Sequence, residues 1–508
     1  MTPRAIVPGG AWPVNKAGRA LVLAAWLLAT LVAMGALVLV AGLGEPVSAG
    51  VDAGLDVRRG GGEAADPGLG ADAPDRIQVV FLLTQFHDLE MRRPRRYFTE
   101  PEGRTGLVER LVDYYAEVSH GHLVIVPTVA GAVVTVAQPR ARYIQKPSLL
   151  VRDGFKAFLA APGEQAAQAA LEDADAVIVF FAGAGKESDL QGGAQDPWSN
   201  FTGIAPPLET PGGRRIAKGC VIAASEREGL GSFGVLCHEF GHLLGLPELY
   251  APGGASHEGI GVWGLMGQGT WLGRGERPPH PSAWSKVAMG WADVQVVTES
   301  GRVTLPASDR TGRVIKLWAS GPEEPWAYVL LENRQRRETD GRLPGSGLLV
   351  WRVDDRIGGI RTAQSDPDRM RVHLVQADGR DDLKLGHRNG GNRGDATDPW
   401  HGLDQRYRYL LDLLGLVGVV LLGFGGIRAR RHGPEGRAIA GIVVGLVMAG
   451  VGFGAPRSPT LCSGDIFAGS EAGDGGRRFR ISNISAAGDP MSFTLTFDES
   501  GKPAGEPD

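Results

Sequence analysis

Apolar and polar positions divide the chain into stretches of different period. Ala20 to Leu43 is an uncharged apolar run, long enough to cross a bilayer, behind a basic flank of Arg4, Lys16 and Arg19. It is expected to be an uncleaved signal anchor (20–43) following a cytoplasmic N-terminus (1–19). Val47-Ser48-Ala49 would be the cleavage site in the alternative reading. Residues 44–76 are rich in Gly, Ala, Asp and Pro and are expected to be a flexible linker. Ile77 to Thr84 is a continuous apolar run that predicts a central strand, and Leu107, Val108, Leu111, Val112 and Tyr115 recur at helical spacing within 105–119. Strands are predicted at 122–126, 176–182 and 219–224, with a further helix within 148–171. A helix packed beneath that sheet is predicted from Phe233 onward, so that 77–292 reads as one α+β domain.

After Trp291 the pattern changes to short Val- and Leu-rich runs at 302–306, 314–319, 327–332, 347–353 and 371–377, separated by turn residues. They predict an all-β sandwich whose first part covers 293–405. Two apolar runs follow, 410–427 and 438–455, joined by a basic segment, 428–437. They read as a membrane hairpin with a cytoplasmic turn, giving three predicted transmembrane helices in all. Asp412, one turn inside the first of the two, reads as an interfacial charge. Strand patterns return at 478–485 and 491–497, so 458–498 is expected to complete the sandwich around the inserted hairpin, ahead of a disordered tail at 499–508.

The stretch from Phe233 to Tyr250, FGVLCHEFGHLLGLPELY, carries the candidate chemistry. His238 and His242 are four apart, a little over one helical turn, so both imidazoles leave one face and can reach one ion. Glu239 follows the first of them and can hold a water at that ion and accept its proton, the H-E-x-x-H zinc-hydrolase arrangement. Gly245 can take positive φ, end the helix and turn the chain back, which brings Glu248 round as third ligand of a zinc ion (Zn2+) with its fourth position open. His257 and Glu258 are the substitutes for that third position.

Downstream, Leu265-Met266 followed by Gly269-Thr270-Trp271 forms a candidate methionine turn, and Ala283-Trp284-Ser285-Lys286 leads to Gly290-Trp291. With the acidic third position, the text Asp113 to Leu123 (DYYAEVSHGHL), Leu331 to Gln335, Leu343-Pro344-Gly345, Gly347 to Trp351 and Ile481 to Ser485, these residues resemble the immune inhibitor A family of bacterial secreted zinc metalloproteases. The resemblance implies a metzincin-like catalytic domain followed by a β domain, hydrolysis of protein or peptide substrates, and an exterior location. Here that means the extracytoplasmic side of a bacterial cell membrane. It makes Met266 a hydrophobic floor under the ligands. Tyr250 is then either a group assisting the oxyanion or a core tyrosine. Arg352 stands where relatives generally have His, which puts in doubt any role carried by that His.

Composition changes the picture little. A net charge of −4 over 508 residues gives no basis for nucleic-acid binding, and three cysteines (Cys220, Cys237, Cys462) exclude a disulfide framework. Asp378, Asp381, Asp382, Asp395 and Asp398 cluster on glycine-rich loops. Calcium (Ca2+) is one reading of them and solvated turn acids the preferred one. Two rival functions are weighed. An intramembrane zinc protease would need a spanning helix around His238, but the apolar run there is broken by Pro247 and Glu248. A catalytically silent membrane-anchored scaffold is opposed by the intact Glu239.

Overall fold

The computed structural model describes residues 74–99, 106–189, 195–251, 257–319, 326–358, 364–402, 461–462 and 479–497, and all of them fall in one compact unit, 53–508. In chain order the first half comprises β1 (Arg76–Phe86), α1 (Arg96–Thr99), α2 (Leu107–Val118), β2 (Val124–Val136), α3 (Pro147–Leu159), α4 (Gln165–Ala169), β3 (Ala176–Ala184), β4 (Asn200–Glu209), β5 (Arg215–Ser225), α5 (Phe233–Leu243) and α6 (Ala283–Ala288). Its sheet has the order β2-β1-β3-β5-β4, parallel except for β4, which runs antiparallel to β5 at the edge.

The continuous apolar runs of β1, β3 and β5 follow from burial on both faces. Alternate side chains divide between two cores, as the strand period requires. Val79, Phe81, Leu83, Ile178, Phe180, Cys220 and Ile222 meet α2 and α5 through Leu111, Tyr115, Leu236 and Phe240. Val80, Leu82, Val177, Val179 and Val221 meet α3 through Leu150, Val151, Phe155 and Phe158. The helix bearing the two histidines therefore lies on the same face as α2. The edge strand β4, NFTGIAPPLE, has no apolar alternation and contains Pro206 and Pro207. Prolines are tolerated there because an edge strand leaves its outer N–H groups unpaired by a neighbouring strand; the register with β5 shifts between Gly203 and Leu208.

The second half comprises β6 (Asp293–Val296), β7 (Gly301–Leu305), α7 (Ser308–Thr311), β8 (Arg313–Trp318), β9 (Ala327–Arg334), β10 (Gly347–Asp354), β11 (Val372–Leu374), β12 (Leu461–Cys462), β13 (Phe479–Ser482) and β14 (Met491–Phe497). They form two sheets, β11-β10-β9-β8-β6 and β12-β13-β14-β7. Ile315, Leu317, Val329, Leu331, Leu348 and Val350 face Phe479, Ile481, Phe493 and Leu495 in a core of their own. The opposite face of the larger sheet, with Val314, Tyr328, Leu330, Leu349, Trp351 and Val353, belongs to the core that also contains α5, Trp263 and Trp284. Every residue of β9 is consequently buried, including Glu332, Asn333 and Arg334 at its end. Arg334 is held by Asp340 (Nε to Oδ2, 2.7 Å) and Glu332 (3.3 Å) and donates to the Trp263 carbonyl (3.3 Å). This buried ion cluster joins the larger β-sheet to the turn that follows the histidine helix.

The expectation of three transmembrane helices is corrected. The described chain is a mixed α/β structure with three sheets, and among the described residues no helix is long and apolar enough to cross a membrane. The physical reason is length. The longest described helix, α3 with 13 residues, spans about 20 Å at the α-helical rise, against roughly 30 Å for a bilayer core. The apolar stretches on which the spans were read, 20–43, 410–427 and 438–455, lie outside the described residues, as do the linker and the C-terminal tail.

Candidate metal centre

All eleven residues of α5 are buried, and two glycines set how closely it is packed. A Cβ on Gly234 would lie 2.0 Å from the Thr270 carbonyl oxygen, and one on Gly241 would lie 2.6 Å from Met266 Sδ. The helix can therefore press on the 265–271 turn only where it has no side chain, and Met266 sits directly beneath the segment between the two histidines. Past the helix end, Gly245 has φ +107°. The Leu246 N–H returns to the Gly241 carbonyl at 3.0 Å and the Gly245 N–H to that of His242 at 3.0 Å, a glycine-terminated helix end that reverses the chain. Glu248 is carried back over the helix face by this reversal.

One ligand atom from each of His238, His242 and Glu248 lies within 4.8 Å of the others. Glu248 Oε1 is 3.1 Å from His242 Nε2, and Glu248 Oε2 is 3.3 Å from His238 Nε2. Both Nδ1 atoms are committed on the far side of the rings. His238 Nδ1 lies 2.9 Å from the Leu265 carbonyl oxygen and 3.0 Å from Thr270 Oγ1, and His242 Nδ1 lies 2.7 Å from the Leu246 carbonyl oxygen. A carbonyl can only accept, so each Nδ1 carries a proton, and each Nε2, which faces Glu248 (a hydrogen-bond contact of 3.1 Å for His242), is the nitrogen available to a metal. The buried His238 Nε2 has no hydrogen-bond partner; its approach to Glu248 is close but not in bonding geometry. Two imidazoles and a carboxylate converging on one point, with an orphaned nitrogen among them, fit a divalent ion with a position left open.

Glu239 is 1% exposed, and its Oε2 accepts the backbone N–H of Phe201 at 2.7 Å, from the edge strand β4. Beside it is a cavity of about 20 Å³ lined by His238, Glu239, Glu187, Tyr250, Gln268 and Trp271, among others. Tyr250 faces His238 with ring centroids 6.2 Å apart.

The substitutes for the third position point elsewhere. Glu258 Oε1 accepts from the His387 backbone N–H (2.9 Å) and meets its Nδ1 (2.8 Å), and His257 Nδ1 accepts the Gly259 N–H (3.1 Å). Calcium at the acidic loops, the less favoured of the two readings, is not supported. Asp378, Asp382 and Asp395 do come together, but their oxygens serve the loop itself. Asp382 accepts from Gln376 (2.7 Å) and Asn392 (2.9 Å), Asp395 from Asn392 (2.9 Å), and Asp378 from Thr397 (2.8 Å). Asp381 pairs with Lys384 (2.7 Å) and His373 (3.2 Å), and Asp398 accepts the indole N–H of Trp263 (2.7 Å). These acids tie the loops of the β region to the turn beneath the histidines.

Three parts of the site were missing from the sequence reading: Thr270, the Phe201 amide and Glu187. Thr270 lies inside the methionine-turn text, and its spacing from His238 carries no local signal. The other two become visible only once β4 is recognised as a strand.

Residues 151–297 match the family model described as immune inhibitor A peptidase M6, catalytic domain. None of the curated proteins compared matches the chain. The matched segment contains the histidine helix, the reversal at Gly245, Glu248 and the methionine turn. Over that segment the chain is similar to the immune inhibitor A peptidases of family M6, which supports a metallopeptidase.

Proposed function

We propose that the chain is a zinc endopeptidase acting on proteins outside the cytoplasm. The observation that carries this reading is the convergence of His238 Nε2, His242 Nε2 and a Glu248 oxygen within 4.8 Å, next to a buried Glu239. Those three residues would hold the metal, and the set of two imidazoles and one carboxylate with an open position is typical of catalytic zinc. When bound, zinc supplies a Lewis acid for the scissile carbonyl and lowers the pKa of water at the open position to about 7. Glu239 then takes the proton of the attacking water. The Phe201 N–H fixes one of its oxygens and leaves the carboxylate oriented for that transfer. The two Nδ1 bonds keep the imidazoles in the tautomer that presents Nε2. The exterior location is supported by the resemblance to secreted proteases.

The test compares wild type with Glu239→Gln in metal content and in hydrolysis of an unfolded protein. One zinc per chain in both, with turnover in wild type only, is the expected result. Equal turnover in both refutes Glu239 as the base, and a chain that takes up no zinc refutes the site.

A further inference from the structure

Two glutamates cap the same strand edge. The Phe201 N–H donates to Glu239 at 2.7 Å, and the Ser199 N–H, where the chain enters β4, donates to Glu187, with its oxygens at 3.1 and 3.3 Å. Groups two residues apart on an extended chain are separated by roughly 6.5–7 Å. The two amides that hold the carboxyl groups are thus side by side along one edge. Both glutamates line the cavity beside His238. Glu187 comes from a short turn after β3 and folds back over Gly185, where a Cβ would lie 2.2 Å from its Oε1. It is 5% exposed, so its placement is fixed by packing as well as by the Ser199 amide.

We propose that Glu187 is a second catalytic carboxyl, the acid that protonates the leaving nitrogen while Glu239 takes the proton of the attacking water. This rests on the peptidase reading above. The step balances: the water oxygen bonds to the carbonyl carbon as the C–N bond breaks, one water proton passes to Glu239, and the Glu187 proton passes to the departing amine. A proton relayed through water from Glu239 to Glu187 restores both groups, and one water is consumed.

The surroundings favour the acid form. Burial pushes the Glu187 carboxyl up to about 7, with the Glu239 charge on α5 adding to the shift. Glu226, after β5, is raised in turn by burial and by Glu187, so the two cannot both ionise at neutral pH. The nearby cations are engaged elsewhere: Lys186 with Asp189 (2.5 Å), and Arg140 (2.9 Å) and Arg227 with Asp196. Of the other titratable groups lining the cavity, His238 donates its Nδ1 proton away from Glu187, to the Leu265 carbonyl, and Tyr250 faces the His238 ring.

The experiment compares the metal-loaded full chain with Glu187→Gln on a peptide and on the ester of the same acyl sequence, whose leaving alkoxide needs less help from an acid. The expected loss of kcat on the peptide is about 100-fold, with KM within two-fold and metal content unchanged. On the ester the expected loss is less than about five-fold, whereas a merely structural role would lower both rates alike. Wild-type kcat/KM on the peptide should fall as pH rises above 7, and Glu187→Gln should lack that limb. Equal losses on peptide and ester, or an unchanged peptide rate, overturn the proposal while leaving the peptidase reading intact. A wild-type chain that binds metal yet hydrolyses neither substrate overturns both.

Discussion

Thr270→Val tests whether the methionine turn orders the metal centre by hydrogen bonding or only by packing. The Thr270 hydroxyl donates to the Leu265 carbonyl (3.2 Å) and lies 3.0 Å from His238 Nδ1, so it can share that N–H with the same carbonyl, 2.9 Å away. Valine keeps the shape of this buried side chain and removes only the hydroxyl. His238 keeps one acceptor of two, so the loss is that of one neutral hydrogen bond, about 0.5–1.5 kcal/mol, or about 2- to 13-fold in zinc affinity. That is at or below the lower end of the roughly 10- to 100-fold losses seen when groups supporting a ligand are removed. Competition against a chromophoric chelator reads the affinity, and thermal unfolding of the metal-free chain reads any general loss of stability. Thr270→Ser should restore most of the affinity. If the valine variant binds within two-fold of wild type, the hydroxyl does not order His238. If the serine variant is as weak as valine, packing is responsible and the hydrogen-bond argument fails.

Three further expectations concern the scaffold. Gly245→Ala introduces no clash, since nothing lies within 4 Å of its Cβ, so the cost is the backbone strain of φ +107°, about 1–3 kcal/mol. Chemical denaturation should show this loss together with weaker zinc binding, and an unchanged midpoint would mean the reversal is not needed. Asp340→Ala leaves the Arg334 guanidinium buried without its main partner, and about 3–5 kcal/mol of stability should be lost; a loss under 1 kcal/mol would deny that this ion cluster holds β9 to the turn. Burial pushes the Asp398 carboxyl up to about 6. A carboxyl raised on folding favours the folded state when protonated, so its contribution is present below about 4 and lost as pH rises through 6. The Tm of Asp398→Asn relative to wild type should therefore increase between pH 4 and 6, and a pH-independent difference would refute the shift.

What could be read from the sequence was what local periodicity controls. The spacing of His238 and His242, the helix-ending Gly245 and the return of Glu248 each follow from helix geometry and glycine φ, and the structure has all four in that arrangement. The strands of the parallel sheet were visible as uninterrupted apolar runs because both their faces are covered. β4 was not, because an edge strand with Pro206 and Pro207 lacks both alternation and apolar continuity. With β4 unseen, the Phe201 and Ser199 amides could not be paired with Glu239 and Glu187 across 38 and 12 positions of sequence. Glu332 closes the strand predicted at 327–332 and Arg334 falls beyond it, yet both are wholly buried, since their charges are matched by Lys286 and Asp340 from other elements.

The same pairing explains why the larger β-sheet bears on catalysis. The turn beneath the histidines does not close on itself. The Trp263 indole donates to Asp398, its carbonyl accepts from Arg334, and the Val262 N–H donates to the Arg393 carbonyl at 2.7 Å. The loop past Glu248 is held similarly, the Gln364 side chain donating to the Leu249 carbonyl at 3.3 Å. Residues 364–398 thus brace both the methionine turn and the third-ligand loop, and they lie outside the segment 151–297 that carries the family match. A ligand set held to a few tenths of an ångström needs supports that do not yield. Here those supports come from the β region, whose inner face shares one continuous core with α5. Sequence signals for the chemistry are therefore concentrated within about twenty residues, while the rigidity that the chemistry requires is distributed over the loops and strands that follow.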